Sequence, residues 1–313
     1  MIHTSTAVDN FYITHEESKN TPSRLKNVDE EVEFLQKVYG AALIRSACLL
    51  LRSPPSVVVT AQTLLQRFYC KKSLTEYDVK LVATASITLS CKLEEKDRKL
   101  RDVLNCVRRA VQRQENRPRS MLAINTPEYE ESKSDAQRME MIMLREFGFF
   151  GHVSPPHPFA YALATHLELD DDIIRRAWAL CNDSAMTMVC VRFKPAIIAC
   201  GCIFLAAKEM SKELPNNPPW WRLVDGATKK VLETVAKSIL ALHQVKEIKY
   251  VDLSNHGETK DERARGASRD KERNQSRRRR RSRSRSRSHD ADEHGRRVRR
   301  RDSRDFDKSR YRK

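Results

Sequence analysis

The chain has 313 residues, 40% hydrophobic and 32% charged, enough for one large or two small domains. Its longest apolar stretch, "PAIIACGCIFLAA" between Lys194 and Lys208, falls short of the roughly 20 residues a bilayer-spanning helix needs, so no membrane role is indicated. The formal charge of +17 is uneven, since residues 256–313 hold 24 Lys/Arg against 11 Asp/Glu, net +13, and residues 1–255 hold only +4.

In chain order, "MIHTSTAVDN" has neither the basic start nor the apolar run of a signal peptide, and residues 1–29 read as an N-terminal extension. Helical spacing of apolar residues then recurs throughout, with little two-residue alternation. A first helix is predicted from about Glu30 to Leu51. "SPP" at Ser53 to Pro55 ends it and opens a second, because proline suits a first helical turn. That second helix carries Val57, Ala61, Leu64, Leu65 and Phe68 on one face. Thr75 and Asp78 have capping-box-like spacing for a third, "KLVATASITLSCKLEEK", which is nearly uncharged until Lys92. A fourth is predicted over about Leu100 to Gln114 and a fifth over about Asp135 to Phe147.

After "FFGHVSPPHP" the pattern starts again, with helices in "PFAYALATHLE", "DDDIIRRAWALCNDSAMTMV", "KPAIIACGCIFLAAKEMS" and "ATKKVLETVAKSILALHQV", and a shorter segment at "PPWWRLV". Placing Lys92 over Lys208 sets Ala83 on Ala199, Ala85 on Gly201, Ile87 on Ile203 and Leu89 on Leu205. A helix apolar on all sides is one that other helices surround. The chain therefore reads as two copies of one helical bundle, each built round a central third helix.

No Gly-rich phosphate loop, H-E-x-x-H or C-x-x-C occurs, so no catalytic site, cofactor or metal is expected. Cys200 and Cys202 form a C-x-C pair, but residues two apart on a helix diverge, and small buried hydrophobes are the better reading. All eight cysteines lie between Cys48 and Cys202 inside helical patterns, which favours a reduced intracellular setting. His152 and His157 flank a proline-rich linker and read as turn and cap residues.

Two five-helix repeats with a central "LSCKLEE" helix resemble the tandem cyclin boxes of cyclins. The segments "TAQTLLQRFYCKKSL", "AWALCNDSAMTMVCVRFKPAIIACGCIFLAAKE" and "LPNNPPWW" are similar to the cyclin L branch, and the resemblance covers roughly residues 5–250. It implies an all-α fold: a first box at 30–151, a second at 152–253, and a disordered arginine/serine-rich tail at 254–313. It also implies a non-catalytic regulatory subunit that activates a cyclin-dependent serine/threonine kinase linked to RNA polymerase II transcription and pre-mRNA splicing.

By spacing alone, Lys92 could be a solvated lysine at a helix end, and Glu140 the edge of a stripe with Ala136, Met143, Leu144 and Phe147. A carboxylate on such a stripe is costly unless it is paired or reaches water. The resemblance implies more: a cyclin lysine and glutamate that hold the backbone beside a kinase regulatory helix fall on Lys92 and Glu140, and apolar kinase-contacting positions fall on Leu144 and Phe149. The first helix, "VYGAALIRSACLLL", lacks the tryptophan of the cell-cycle cyclins' substrate-docking groove. "RDVL" at Arg101 to Leu104 has the spacing of a destruction signal but lies in a predicted helix.

The tail's only large apolar residues are Val298, Phe306 and Tyr311, too few to offset the entropy of ordering. Arg277, Arg278, Arg279, Arg280 and Arg281 could serve nuclear import or loose nucleic-acid contact. Ser282, Ser284, Ser286 and Ser288, set between arginines, are phosphorylation candidates; each phosphate would add about −1.5 to −2 charge. A solvated end without regulation stays open beside these. The expected partners are the kinase and, through the tail, splicing factors or RNA, with nuclear speckles as the expected location. Two rivals remain: an adaptor of the transcription factor IIB kind, although no cysteine-bearing ribbon precedes the repeats, and a splicing adaptor that activates no kinase.

Overall fold

The computed structural model describes residues 11–216 and 218–253. Ser282, Ser284, Ser286, Ser288 and Arg277–Arg281 lie outside the described residues, as does residue 217. Apart from an isolated bridge between Asn216 and Pro219, every regular element among the described residues is helical. Two short helices, α1 (His15–Lys19) and α2 (Pro22–Leu25), precede the first bundle. It comprises α3 (Glu30–Leu50), α4 (Pro55–Lys71), α5 (Val79–Leu93), α6 (Leu100–Gln114) and α7 (Pro127–Glu146). The second comprises α8 (His157–His166), α9 (Asp171–Ser184), the single turn α10 (Val189–Arg192), α11 (Pro195–Glu209) and α12 (Lys229–His243), with a 3₁₀ turn at Trp220–Leu223. None of these helices is long and apolar enough to cross a membrane.

The central helices are α5 and α11. Ala83, Ala85, Ser86 and Ser90 of α5 are buried, and α3, α4 and α7 close round them. The hydroxyls of Ser86 and Ser90 donate to carbonyls of their own helix, Val82 at 2.8 Å and Ile87 at 3.0 Å, so burial leaves no unpaired donor there. The closest approaches fall on glycine. A Cβ at Gly40 would stand 2.6 Å from Val79, and one at Gly201 would stand 2.5 Å from Val235, so α3 meets α5, and α11 meets α12, only because those positions lack side chains.

Helix ends follow local chemistry. Asp78 caps α5 by accepting from the backbone amides of Lys80 and Leu81. Thr75, half of the expected capping box, instead shares a turn with Ser73, whose hydroxyl lies 2.9 Å away. The helix α7 begins eight residues before the expected Asp135, where Thr126 caps Tyr129 and Pro127 sits in the first turn. Its first half is mostly polar and solvated, so apolar periodicity could not reveal it. The helix expected over residues 170–189 stops at Ser184, because Ser184 and Thr187 bond back to the carbonyls of Cys181 and Ser184 and tighten the chain into turns before α10.

The two cores are separate, and a small cluster of Val38, Ala41, Met186 and Leu242 joins them. Gln66 Nε2 donates to the Met186 carbonyl at 2.9 Å, and Arg45 pairs with Asp183 at 3.1 Å. Buried Glu33 and Lys37 pair at 2.5 Å beside this seam. Burial alone would raise the Glu33 carboxyl, but Lys37, Thr21 and Arg24 outweigh it and hold the group below its usual range. The first and last of the described residues both return to the first bundle, with Phe11 and Leu253 in its core. The second bundle's last segment is clamped by the Gln36 amide, which donates to the Lys249 carbonyl and accepts from the Val251 amide.

Candidate functional site

The four candidate residues lie where the C-terminal ends of α5 and α7 come together. Helix α5 stops because Glu95 takes a left-handed conformation, φ 53°, which lets the Lys96 amide close on the Cys91 carbonyl at 2.8 Å. Lys92 thus sits in the last turn, where a cation faces the negative end of the helix dipole. Glu140 projects from α7 beside buried Ala136, Met143 and Phe147. Lys92 Nζ meets Glu140 Oε1 at 2.5 Å, with the glutamate side chain 11% exposed and the lysine 56%. Packing therefore fixes the carboxylate, while the ammonium lies at the protein surface.

Leu144, one turn after Glu140, is half-buried. Phe149 is 66% exposed. Its position comes from the turn that ends α7, in which Gly148 and Phe149 both have φ 60° and the Phe149 amide closes on the Leu144 carbonyl at 2.8 Å. A left-handed phenylalanine costs about 1–2 kcal/mol, and contacts on the inner side hold it. Phe11 stacks on Phe150 and meets Phe147 edge-on. The Arg67 guanidinium lies 4.3 Å from the Phe11 ring centroid and donates to the His152 carbonyl at 2.7 Å.

Sequence reasoning missed Leu93, 41% exposed between Lys92 and the helix end, and Gly151, where any Cβ would lie 2.7 Å from Leu93. It missed Phe11 as well. Leu93 was visible as an apolar residue inside "KLEE", whereas nothing local in the sequence connects Phe11 to Phe150.

The remaining motifs take structural places. Arg101 to Leu104 lie near the start of α6, with Leu104 buried. His157 is buried in the first turn of α8, with Nε2 3.0 Å from Asn182 Oδ1 and its ring 4.8 Å from that of Trp178. Burial lowers its pKa. Cys200 and Cys202 are buried free thiols, and burial pushes Cys200 up to about 12. Among the described residues, no group of three or more His, Cys, Asp or Glu is placed to hold a metal.

Comparison with known proteins places the chain in a family. The family described as "Cyclin, N-terminal domain" matches residues 9–150, and "Cyclin-T2-like, C-terminal domain" matches residues 157–242. Cyclin-L1-1 of Arabidopsis thaliana is 39% identical over 81% of this chain and 61% of its own length. Cyclin-L2 of Mus musculus is 34% identical over 80% of this chain and 48% of its own. The chain thus spans between about half and three-fifths of these relatives. Among solved structures, a chain of the yeast RNA Pol II CTD kinase CTDK-1 complex superposes with TM-score 0.60 at 17% identity, covering 74% of this chain and 72% of that one. A chain of the CAK complex from Chaetomium thermophilum bound to ATP-gamma-S gives 0.56 at 16%, over 76% and 78%. These last two likenesses are of fold.

Proposed function

The chain belongs to the cyclin family, with cyclin L proteins among its relatives, and on that premise we propose that it is a non-catalytic subunit that binds and activates a cyclin-dependent serine/threonine kinase. The observation that carries this reading is the Lys92–Glu140 pair set among Leu93, Leu144 and Phe149. It combines a fixed charge pair with an apolar rim, which suits a surface that must grip a helix and its backbone together. Solved structures of similar fold that sit in kinase complexes support the class of partner.

Activation by such a surface is a population shift. A kinase whose regulatory helix turns between two positions is driven toward the one that the first box binds better, by the difference in binding free energy. A rigid face serves this purpose, and the inner contacts of Phe11 and Arg67 keep the Phe149 turn in one shape. The second box would support the first and tune the choice of partner. The finer assignment rests on the resemblance to the cyclin L branch and on the tail's composition: a kinase of the transcription and splicing group, nuclear speckles as the location, and phosphorylation at Ser282 to Ser288 as a charge switch.

The test is kinase activation by the Lys92→Ala/Glu140→Ala double variant, with helical content checked in parallel. A fall of at least tenfold with helicity retained is expected, and full activation would overturn the reading. For the tail, a chain ending at residue 255 should keep kinase activation and lose its nuclear pattern.

A further inference from the structure

The folded part of the chain hides a strongly basic surface behind its small net charge. Residues 96–119, which cover α6 and its flanks, hold nine Lys/Arg and three Asp/Glu, net +6, although residues 1–255 carry only +4 in total. Everything else in that span is net acidic. The positive charge is gathered on one helix and the segments on either side of it.

Its arrangement is orderly. Arg101, Asn105, Arg109 and Arg113 follow one another at i,i+4 spacing and share a face of α6, with Arg108 beside them. Arg101 pairs with Asp102 and Arg108 with Glu128, while Arg109 and Arg113 have no partner among the described residues. Like charges one turn apart repel and oppose helix formation. The fold keeps this ladder only partly neutralised.

The loop after α6 is pinned against the same face. Gln112 Nε2 donates to Ser120 Oγ at 2.8 Å, Arg108 Nε donates to Ser120 Oγ at 3.1 Å, and the Leu122 amide donates to Asn105 Oδ1 at 2.8 Å. Leu122 is buried with Leu104 and Tyr129. Met121 and Ile124 are left outward, 81% and 53% exposed. Two apolar side chains are thus held at the border of an arginine ladder that is not fully paired.

We propose that this strip is a docking surface for an acidic peptide of a partner protein, with carboxylates along the arginines and an apolar side chain against Met121 and Ile124. Residues 96–124 contain no aromatic residue or histidine on which a base could stack, and stacking is the usual means of holding single-stranded nucleic acid. Arg101 to Arg113 extend over about 18 Å at 1.5 Å per residue. That spacing suits a run of single charges, which successive carboxylates of a peptide supply. Guanidinium forks match carboxylates in pairs, and exposed apolar loop residues give a nucleic-acid backbone nothing to bind.

The experiment uses the full chain, so the basic tail competes in every arm and the site of labelling decides. The probe is a short peptide repeating Glu-Asp-Leu with one benzoylphenylalanine, cross-linked by light and mapped by mass spectrometry. Labelling is expected within residues 101–124. Arg109→Glu/Arg113→Glu should lower it there roughly tenfold, and Met121→Ser/Ile124→Ser about threefold, with the helical circular dichroism unchanged in both. A peptide with Ser in place of Leu should label the strip more weakly. The inference is overturned if labelling is confined to residues 254–313, if neither variant changes the yield, if the serine peptide labels equally well, or if a 4-thiouridine RNA oligomer labels the strip more strongly than the peptide.

Discussion

In the first box the central helix α5 ends in Lys92, whose ammonium meets Glu140 of the last helix, α7. In the second box α11 ends in Lys208, which lies over the Phe204 ring of its own helix at 5.0 Å, while the adjacent Glu209 takes a two-point contact from Arg176 of α9. Both central helices thus end in a cation, where the helix dipole favours one. Only in the first does that cation join the central helix to the last one. Packing inside the two boxes follows one plan, and the difference lies in which pair of helices the surface charges connect. A bundle keeps its fold as long as its small residues and apolar contacts remain, so its surface pairs are free to diverge between copies.

The most demanding test of that asymmetry places a charge on each box's exposed apolar surface. Phe149→Asp should weaken binding of a co-purifying cyclin-dependent kinase by about 2–4 kcal/mol, as for a central interface anchor. Leu240→Asp on α12, the second box's counterpart of α7, should change it by less than about 0.5 kcal/mol. Equal losses in a titration of the two variants would show that both boxes dock the kinase.

Packing should behave in the opposite way, alike in both copies. Gly40→Val and Gly201→Val each force a side chain into a space where Cβ alone would stand 2.6 Å or 2.5 Å from a valine methyl. Overpacking of this kind costs about 1–3 kcal/mol. Calorimetry should show similar losses for the two variants. If Gly201→Val proves neutral, the second box is more loosely packed than its first-box counterpart.

How far the sequence could take this comparison depends on the kind of contact. The central helices were legible because α5 and α11 repeat the same small and apolar residues in register, and repetition is a property of the chain itself. Lys92 and Glu140 lie 48 residues apart. Spacing left them open between a solvated pair and an ion pair, and a family resemblance was needed to choose the second. The first half of α7 was not legible, since a solvated helix start carries no apolar period and only Thr126 and Pro127 mark it. The Phe11 staple depends on a meeting of both ends of the first box, for which no local pattern exists.

A smaller effect sharpens the role of the Lys92–Glu140 pair. Because the lysine is 56% exposed, water and salt screen the pair, and Lys92→Ala should lower stability by no more than about 1 kcal/mol. Chemical unfolding of that variant would show it. A large loss would mean that the pair holds the first box together, and its place on the proposed kinase face would then be incidental.

The smallest expected effect belongs to the second box and is read in pH. His157 is buried against Trp178 and contacts Asn182, and burial lowers its pKa below the ordinary 6.5. Its place in the first turn of α8 disfavours a cation further. The unfolded chain therefore takes up a proton more readily than the folded one, and stability rises with pH wherever the unfolded state binds more protons. The contribution is complete above about 6.5 and is lost as pH falls through that value toward the lower folded one. Glu33 also has a lowered pKa, and by the same linkage its contribution is lost only as pH falls below the ordinary carboxylate value of 4.5. Acid should thus weaken the second box first and the seam beside the first box later. His157→Gln should flatten the upper part of the unfolding profile between neutral and mildly acidic pH and leave the lower part in place. An unchanged slope in that variant would mean that His157 takes up its proton in the folded chain as readily as in the unfolded one.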